Sequence, residues 1–453
     1  MKTENKAFYK KLFALVIPIA VQNLMTALVS ASDALMLGFL DQSSLSAVSL
    51  ATQVQFVLNL FFCAILIGET ILAAQYWGKE DKASVEKVLA IVLKLSTVIA
   101  LVFFFAALLV PGALMRIFTN EKDLIELGIP YLRIVSWSYL FMGISQMFLC
   151  IMKNSGRTPR STVYGSVAVI LNIILNAVFI FGLFGCPKME IRGAALATVI
   201  SRAVELLLCM MENRKREQVC IRWKYLAGSN RELRKDFYRY TTPVMFNELA
   251  WGCGFTMFSV IMGHLGSDAV AANSLANIVK NIVSCFCLGI GAGSSIIVGN
   301  ELGSGNLERA KVYGGKLTRA AIISGVLSAA LMLACSPLIL KFAYTLTDTA
   351  REYLKLMLFV CSYYIVGKAV NSTTIAGIFA AGGDTRFGLL CDTITMWVVV
   401  VPIGLLAAFV FKLPVMLVYL LLNTDEVIKL PAVYIHYKKY KWLNNLTRVG
   451  NES

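Results

Sequence analysis

Twelve apolar stretches run through this sequence, and their length constrains the fold more than any other feature. A helix needs roughly 20 apolar residues to cross the ~30 Å hydrocarbon core of a bilayer. Membrane-spanning strands are shorter and survive only in closed barrels. The sequence therefore predicts an all-α integral membrane protein with twelve transmembrane helices. The stretches lie near residues 12–40, 48–76, 88–110, 126–152, 161–184, 190–211, 238–264, 271–299, 315–337, 352–380, 387–410 and 413–436.

Positive charge is concentrated on one side of these predicted spans. With the N-terminus inside, the inner segments carry 28 of the 42 Lys and Arg residues, and the outer connections carry seven. This bias follows the positive-inside rule. We expect a multi-pass protein of a prokaryotic plasma (cell inner) membrane with both termini in the cytoplasm. The basic segment 212–240 reads as a loop beside anionic lipid rather than as a nucleic-acid site.

Several classes of chemistry lack the residues they need. The eleven cysteines form no CxxC pair, and His264 and His436 are the only histidines. No zinc site, disulfide framework or phosphate-binding GxxxxGK[ST] motif is present, and no nucleophile–base pair is apparent. We expect a protein that is not an enzyme and needs no cofactor.

The two halves of the chain repeat each other. When the sequence is shifted by 225 positions, 14 of the 61 residues between 18 and 78 are identical, including Pro18 with Pro243 and Gly78 with Gly303. Six spans in each half return the chain to the same side of the membrane, so the repeats share one orientation.

Parallel six-helix repeats are typical of transporters that alternate access around a central cleft. The expected organisation is an N-terminal lobe, a cytoplasmic linker, a C-terminal lobe and a cytoplasmic tail. These cover residues 1–211, 212–237, 238–436 and 437–453. We expect a monomer in the lipid bilayer that handles small organic substrates and no nucleic acid.

Polar side chains form a stripe on the equivalent span of each half. Their three- and four-residue spacing places them on one face of a helix. They could bond neighbouring helices in a dry bundle or line a water-filled cleft between the lobes, and recurrence at related positions favours the cleft. The candidates are Asn273, Asn277, Asn281 and Ser284 in the eighth span, and Thr52, Gln55 and Asn59 in the second. Asn172 and Asn176 in the fifth span add uncharged ligands.

Two carboxyl groups are candidates for ion coupling. Glu248 lies about ten residues, or ~15 Å, from the inner end of the seventh span. An ionised carboxylate at that depth is costly unless it is paired, hydrated or bound to a cation. We therefore expect Glu248 to bind Na⁺ or H⁺, with Asn247 as a second Na⁺ ligand, and Asp33 to play the matching part in the first half. Pro18 and Pro243 would bend the helices nearby.

Other charges within the spans could modify these sites. Lys280, Lys368 and Asp392 could form a neutral network with Glu248, or a lysine could compete with the transported cation. Glu69 is a further titratable candidate. Asp425, Glu426 and Lys429 are spaced to pair with one another along one helix.

Several segments resemble the multidrug and toxic compound extrusion family, the MATE transporters. They are "IPIAVQNLMTALVSASDALMLGFL", "AAQYWGKEDKA", "NSGRTP", "GAALATVIS" and "GIGAGSSIIVGNELGSGNLERAK". The resemblance runs in order over essentially the whole chain. It implies two six-helix lobes around a central cleft and export of cationic, amphipathic compounds in exchange for Na⁺ or H⁺.

The resemblance also implies roles for single residues. Asp33 is similar to the first-helix acid of the family and Glu248 to the seventh-helix acid of its Na⁺-linked members. Asn176 stands where some members have Asp. Ala369, beside Lys368, stands near the tenth-helix acid of the Na⁺-linked group. We expect an antiporter that exports multiple drugs and other xenobiotics. The alternatives are a flippase for lipid-linked precursors, which needs a more cationic cleft, and a non-transporting membrane sensor.

Overall fold

The computed structural model describes residues 2–38, 42–215, 218–228, 230–343 and 346–447. Within these ranges the regular structure is helical, and eleven helices are long and apolar enough to cross a membrane. The fold is therefore the all-α membrane architecture that the apolar stretches predict.

The first half contains six membrane-length helices and two short ones. The long helices are α1 (Lys2–Gly38), α2 (Gln42–Gly78), α3 (Lys82–Leu109), α5 (Lys122–Asn154), α6 (Thr158–Phe181) and α7 (Glu190–Asn213); the short ones are α4 (Pro111–Phe118) and α8 (Trp223–Ala227).

The second half repeats this order. Its helices are α9 (Arg231–His264), α10 (Ser267–Gly303), α11 (Leu307–Phe342), α12 (Asp348–Phe379), α13 (Thr385–Val410), α14 (Val415–Leu422) and α15 (Asp425–Lys438). The predicted twelfth span is present as the two helices α14 and α15, interrupted at 423–424. Asn423 caps the C-terminus of α14, and its side-chain amide donates a hydrogen bond to the Tyr419 carbonyl at 2.9 Å.

Equivalent helices pack alike in the two halves. Helix α3 packs along α5, and its repeat-related counterpart α11 packs along α12. Helix α12 departs from α-helical geometry at Ser372–Phe379, and α13 departs at Ile394–Val400 and Leu406–Val410, where the turns are π-helical. Such turns insert an extra residue and reorient the side chains that follow.

The described residues divide into two compact units. One contains 1–23, 74–80 and 239–453, and the other contains 24–73 and 81–238. The start of α1 and the end of α2 therefore belong to the same unit as the second repeat. In that unit Phe8, Leu12 and Val16 are buried in one apolar cluster with Ile297 and Trp442.

Pro18 and Pro243 both lie inside long helices, α1 and α9. Each proline lacks a backbone N–H and removes one hydrogen bond from its helix. The helical backbone continues past both positions.

Candidate functional site

The first candidate cluster surrounds Asp33 in the unit formed by 24–73 and 81–238. Asn176 on α6 donates its side-chain N–H to the Asp33 carboxylate at 2.5 Å. The same amide lies 3.3 Å from the Asn172 Oδ1, one turn earlier on α6. Asn176 is 1% exposed, and its own Oδ1 is buried without a hydrogen-bond partner. The cluster therefore contains a carboxylate and an amide oxygen that has no hydrogen-bond partner among the described residues.

Helix α7 completes this cluster. The Asn172 amide lies 3.3 Å from the Thr198 hydroxyl and 3.5 Å from the Ser201 hydroxyl. Thr198 and Ser201 were not among the sequence candidates, although both lie in the segment "GAALATVIS", residues 193–201. No basic side chain forms an ion pair with Asp33 in the part of the chain that the structure describes. Oxygen ligands of this kind suit hard cations such as Na⁺.

The second candidate cluster lies in the other unit, between α9, α13 and α15. Asn247, next to Glu248, donates to the Asp392 carboxylate at 2.9 Å, and the Asn247 Oδ1 is buried without a partner. Lys429 contacts the same Asp392 carboxylate at 2.9 Å. Within the described ranges, Glu248 itself forms no ion pair with Lys or Arg. The predicted Asn247 ligand thus faces Asp392.

Lys429 is the centre of one buried cluster of charges in this unit. Its ammonium lies 3.3 Å from Glu426 and 3.8 Å from Asp425, and Asn371 donates to Glu426 at 2.7 Å. The expected pairing of Asp425, Glu426 and Lys429 is present, and it extends to Asp392. Lys429 is only 5% exposed, so the paired carboxylates offset the cost of burying its charge.

Lys280 and Lys368 both face an aromatic ring. Their ammonium groups lie 4.9 and 5.9 Å from the centre of the Tyr364 ring, within or close to cation–π range. Within the described residues, neither forms an ion pair with a carboxylate. The sequence suggested a neutral network of these two lysines with Glu248 and Asp392. In the structure Asp392 forms its ion pair with Lys429 instead.

The polar stripes are divided between buried and exposed positions. On α10, Asn273 and Asn277 are half-buried and bonded to each other at 3.2 Å, Ser284 is buried and Asn281 is exposed. On α2, Thr52 and Gln55 are half-buried and Asn59 is exposed. Thr52 turns its hydroxyl back to the Ser49 carbonyl. Asn59 and Asn281 are therefore the stripe residues most open to a ligand.

Glu69 lies apart from both clusters. It is fully buried in α2 beside Cys150 of α5, whose thiol contacts the Thr70 hydroxyl at 3.4 Å. A further buried acid, Glu205, accepts a 2.5 Å hydrogen bond from Ser145 and pairs with Arg202 at 2.8 Å. Sequence reasoning missed Glu205, although its i,i+3 spacing to Arg202 within the predicted sixth span was a signal for the ion pair. Its contact with Ser145 became evident only from the packing of α5 against α7.

Comparison with known proteins agrees with the fold and the internal repeat. The MatE family model matches twice, over residues 18–178 and 243–406. The two matches begin 225 residues apart, which is the shift that aligns the halves.

Two curated relatives cover nearly the whole chain. A "Probable multidrug resistance protein NorM" of Thermotoga maritima is 24% identical, over 97% of this chain and 94% of that protein. A "Probable multidrug resistance protein YoeA" of Bacillus subtilis is 24% identical, over 99% and 97%. The solved structure of an outward-facing multidrug resistance MATE family transporter of the MOP superfamily shares the fold. Its TM-score is 0.85 at 19% identity, covering 95% of both chains. With both repeats matched by the family model, the chain belongs to the MatE family of membrane transporters.

Proposed function

We propose that this protein is a monomeric multidrug efflux antiporter that exchanges amphipathic, cationic organic compounds for Na⁺ or H⁺ by alternating access. The observation that carries the coupling is the cluster of Asp33 with Asn176, Asn172 and Thr198. It gathers a carboxylate and neutral oxygen donors on membrane helices without a paired lysine or arginine in the described residues.

Such a cluster can exchange cations because a carboxylate within a membrane span that has no paired cation is costly as an anion. Na⁺ would be held by Asp33 together with the amide oxygens of Asn172 and Asn176, after rotation of the Asn176 amide. A proton would instead neutralise Asp33 directly. In either case, the bound cation would neutralise Asp33, and α1 could then move without carrying an uncompensated charge.

Glu248 is the proposed second coupling carboxyl, with Asn247 beside it. Lys429 forms ion pairs with Asp392, Asp425 and Glu426. Glu248 has no ion pair among the described residues. Glu248 therefore remains available to a mobile cation. Lys280 and Lys368 are proposed to modify the electrostatic potential at the Glu248 site, and Glu69 is proposed as a further titratable group.

The exposed stripe residues Asn59 and Asn281 are proposed to contact the transported compound, with Asn273, Asn277, Ser284, Thr52 and Gln55 behind them. We propose the six-helix lobes 1–211 and 238–436 as the two repeats of the transporter, joined by the linker 212–237, with the tail 437–453 and both termini in the cytoplasm of a prokaryotic cell. The names of the curated multidrug resistance relatives support this direction of transport.

Export of a fluorescent lipophilic cation from protein-containing vesicles tests this function. An inward Na⁺ gradient and an inward H⁺ gradient are imposed separately. We expect one of them to accelerate export, and Asp33→Asn and Glu248→Gln to remove that acceleration. Glu126→Gln, an exposed carboxylate on α5, is the matched control. Export that responds to neither gradient, or an acceleration that both variants retain, would contradict the proposal.

A further inference from the structure

A groove of about 490 Å³ opens on the outside of the unit formed by 24–73 and 81–238. Its walls are α3, the short helix α8 and the first turns of α9, so the segment that joins the two repeats forms one side of it. Four basic residues line it: Lys87 and Lys94 on α3, Lys224 on α8 and Arg234 on α9. The groove is therefore strongly positive.

Part of the wall that α3 contributes is apolar. Ile91, Leu95 and Val98 continue the lining along α3, at spacings that place them on the same face as Lys87. Lys87 and Val98 are about 16 Å apart along the helix axis, roughly half the thickness of the hydrocarbon core. Val98 is 58% exposed. Lys94 lies between Ile91 and Leu95 on α3, and its ammonium reaches the Gly228 carbonyl at the end of α8. This ammonium, Lys87, Lys224 and Arg234 form a basic mouth, from which the apolar strip continues along α3 to Val98.

The positive charge at the mouth is not neutralised by the groove itself. None of the lining residues that the structure describes is acidic. Glu86, the acid next to Lys87, is buried and engaged elsewhere, since it contacts Arg222 at 2.6 Å and the Cys220 backbone N–H at 3.3 Å. Among the residues that the structure describes, Lys94 bonds only to a neutral group, the Gly228 carbonyl at 3.3 Å.

We propose that this groove binds one anionic phospholipid, with its phosphate among the four basic side chains and an acyl chain along Ile91, Leu95 and Val98. Basic pockets at the ends of membrane helices are suited to such headgroups. The apolar continuation distinguishes a lipid from a soluble anion, which would need the mouth alone. Two tyrosines complete the fit: Tyr225, 5.8 Å from the Lys87 ammonium, and Tyr238, which is 43% exposed. Their amphipathic rings suit the headgroup level.

A bound lipid would bridge the linker to the membrane helices. Lys94 comes from α3, Lys224 from α8 in the linker and Arg234 from the first turn of α9, so a shared phosphate would draw these three helices together. This inference does not depend on the transported compound or on the coupling ion, so it stands or falls separately from the proposed antiport.

Native mass spectrometry of the full-length protein, purified in detergent, can count the bound lipids. The protein is titrated with phosphatidylglycerol, with phosphatidylcholine of the same chains, and with glycerol 3-phosphate as a headgroup without chains. We expect one tightly bound phosphatidylglycerol and weaker binding of the other two. The triple variant Lys94→Gln/Lys224→Gln/Arg234→Gln should weaken phosphatidylglycerol binding about a hundredfold, because each cation near the surface contributes roughly a factor of five.

The control removes three exposed basic residues that do not line the groove: Lys10→Gln/Lys235→Gln/Lys439→Gln. It should bind phosphatidylglycerol like the parent, and thermal unfolding in detergent establishes that both triple variants fold. Equal losses in the two triple variants would show general charge attraction and overturn the proposal. Equal affinity for phosphatidylcholine, or for glycerol 3-phosphate, would overturn the assignment of an anionic lipid.

Discussion

Gly78 and Gly303 occupy corresponding positions in the two repeats, and each lies against the backbone of the other's helix. A methyl group on Gly78 would overlap the Asn300 carbonyl, and one on Gly303 would overlap the Gln75 carbonyl. Gln75 and Asn300 are themselves 225 residues apart. The ends of α2 and α10 therefore cross through a contact that repeats the internal symmetry of the sequence.

Gly78→Ala and Gly303→Ala should have closely similar effects, because each methyl group meets an equivalent carbonyl. We expect each to destabilise the protein by about 1–3 kcal/mol, the usual cost of overpacking a rigid contact, and to slow export in vesicles. Thermal unfolding in detergent and the export rate are the measurements. Gly263→Ala is the control, since a methyl group there meets nothing within 4 Å. Unchanged unfolding in both variants would show that the helix ends can separate freely.

Asn176→Leu tests the amide that contacts Asp33. The substitution keeps the shape of the side chain but removes the donor to Asp33 and the oxygen proposed to bind the cation. The donated hydrogen bond stabilises the ionised Asp33, whereas the amide oxygen is a proposed Na⁺ ligand. An interaction with a charged group contributes about 1.5–3 kcal/mol, equivalent to roughly 10- to 100-fold in affinity. With Na⁺ as the coupling ion, loss of the oxygen ligand should raise the half-saturating Na⁺ concentration by that factor; with H⁺, loss of the donor should lower the half-saturating H⁺ concentration. Thr198→Val should have a smaller effect because Thr198 reaches Asp33 only through Asn172 and Asn176.

The matched control for Asn176→Leu is Gln53→Leu, which removes an exposed amide from α2. It should leave the half-saturating concentration unchanged. If Asn176→Leu also leaves it unchanged while Asp33→Asn abolishes coupling, the amide would only support Asp33 structurally.

Much of this architecture could be predicted from the sequence. Span length reflects solvation by lipid and the need to satisfy backbone hydrogen bonds within each segment, and it predicted the helices. The 225-residue repeat predicted that the two halves share one order of helices. The sequence also showed that Gly78 and Gly303 are equivalent positions, but it did not show that the two glycines allow α2 and α10 to approach closely.

The pairing of charges could not be predicted in the same way. Lys429 was expected to pair with Asp425 and Glu426 because they are one turn apart, and it does. Its contact with Asp392 depends on how α13 meets α15, and α13 contains π-helical turns that shift side-chain directions. Asn172 and Asn176 were likewise predicted as substrate contacts, and their partner Asp33 became evident only from the packing of α6.

Lys429→Met should be strongly destabilising. The ammonium is 5% exposed and is shared by Asp392, Asp425 and Glu426, so its removal leaves carboxylates buried without compensation. Breaking a buried ion pair in this way costs about 3–5 kcal/mol. Thermal unfolding in detergent measures the loss. Adding Asp392→Asn should recover part of it by removing one of the stranded charges.

Lys368→Met is the control for Lys429→Met, because Lys368 has no ion pair with a carboxylate in the described ranges and meets the Tyr364 ring instead. It should cost about 0.5–2 kcal/mol, the range of a cation–π contact. Equal losses for the two lysines would contradict the assignment of Lys429 as the centre of the charges.

Trp442→Ala should detach the segment that follows α15. Trp442 is fully buried, packs against Gly314 and belongs to the apolar cluster that contains Phe8. Gln75 anchors the same segment through the Asn444 carbonyl at 3.1 Å and the Leu446 N–H at 2.6 Å. Replacing a buried tryptophan by alanine costs about 3–5 kcal/mol. Thermal unfolding should show this loss, and limited trypsin digestion should cut faster after the exposed Lys441. Trp223→Ala, at an 84% exposed tryptophan, should change neither measurement. Unaltered digestion in Trp442→Ala would mean that Gln75 alone holds the segment, and Gln75→Leu would then release it.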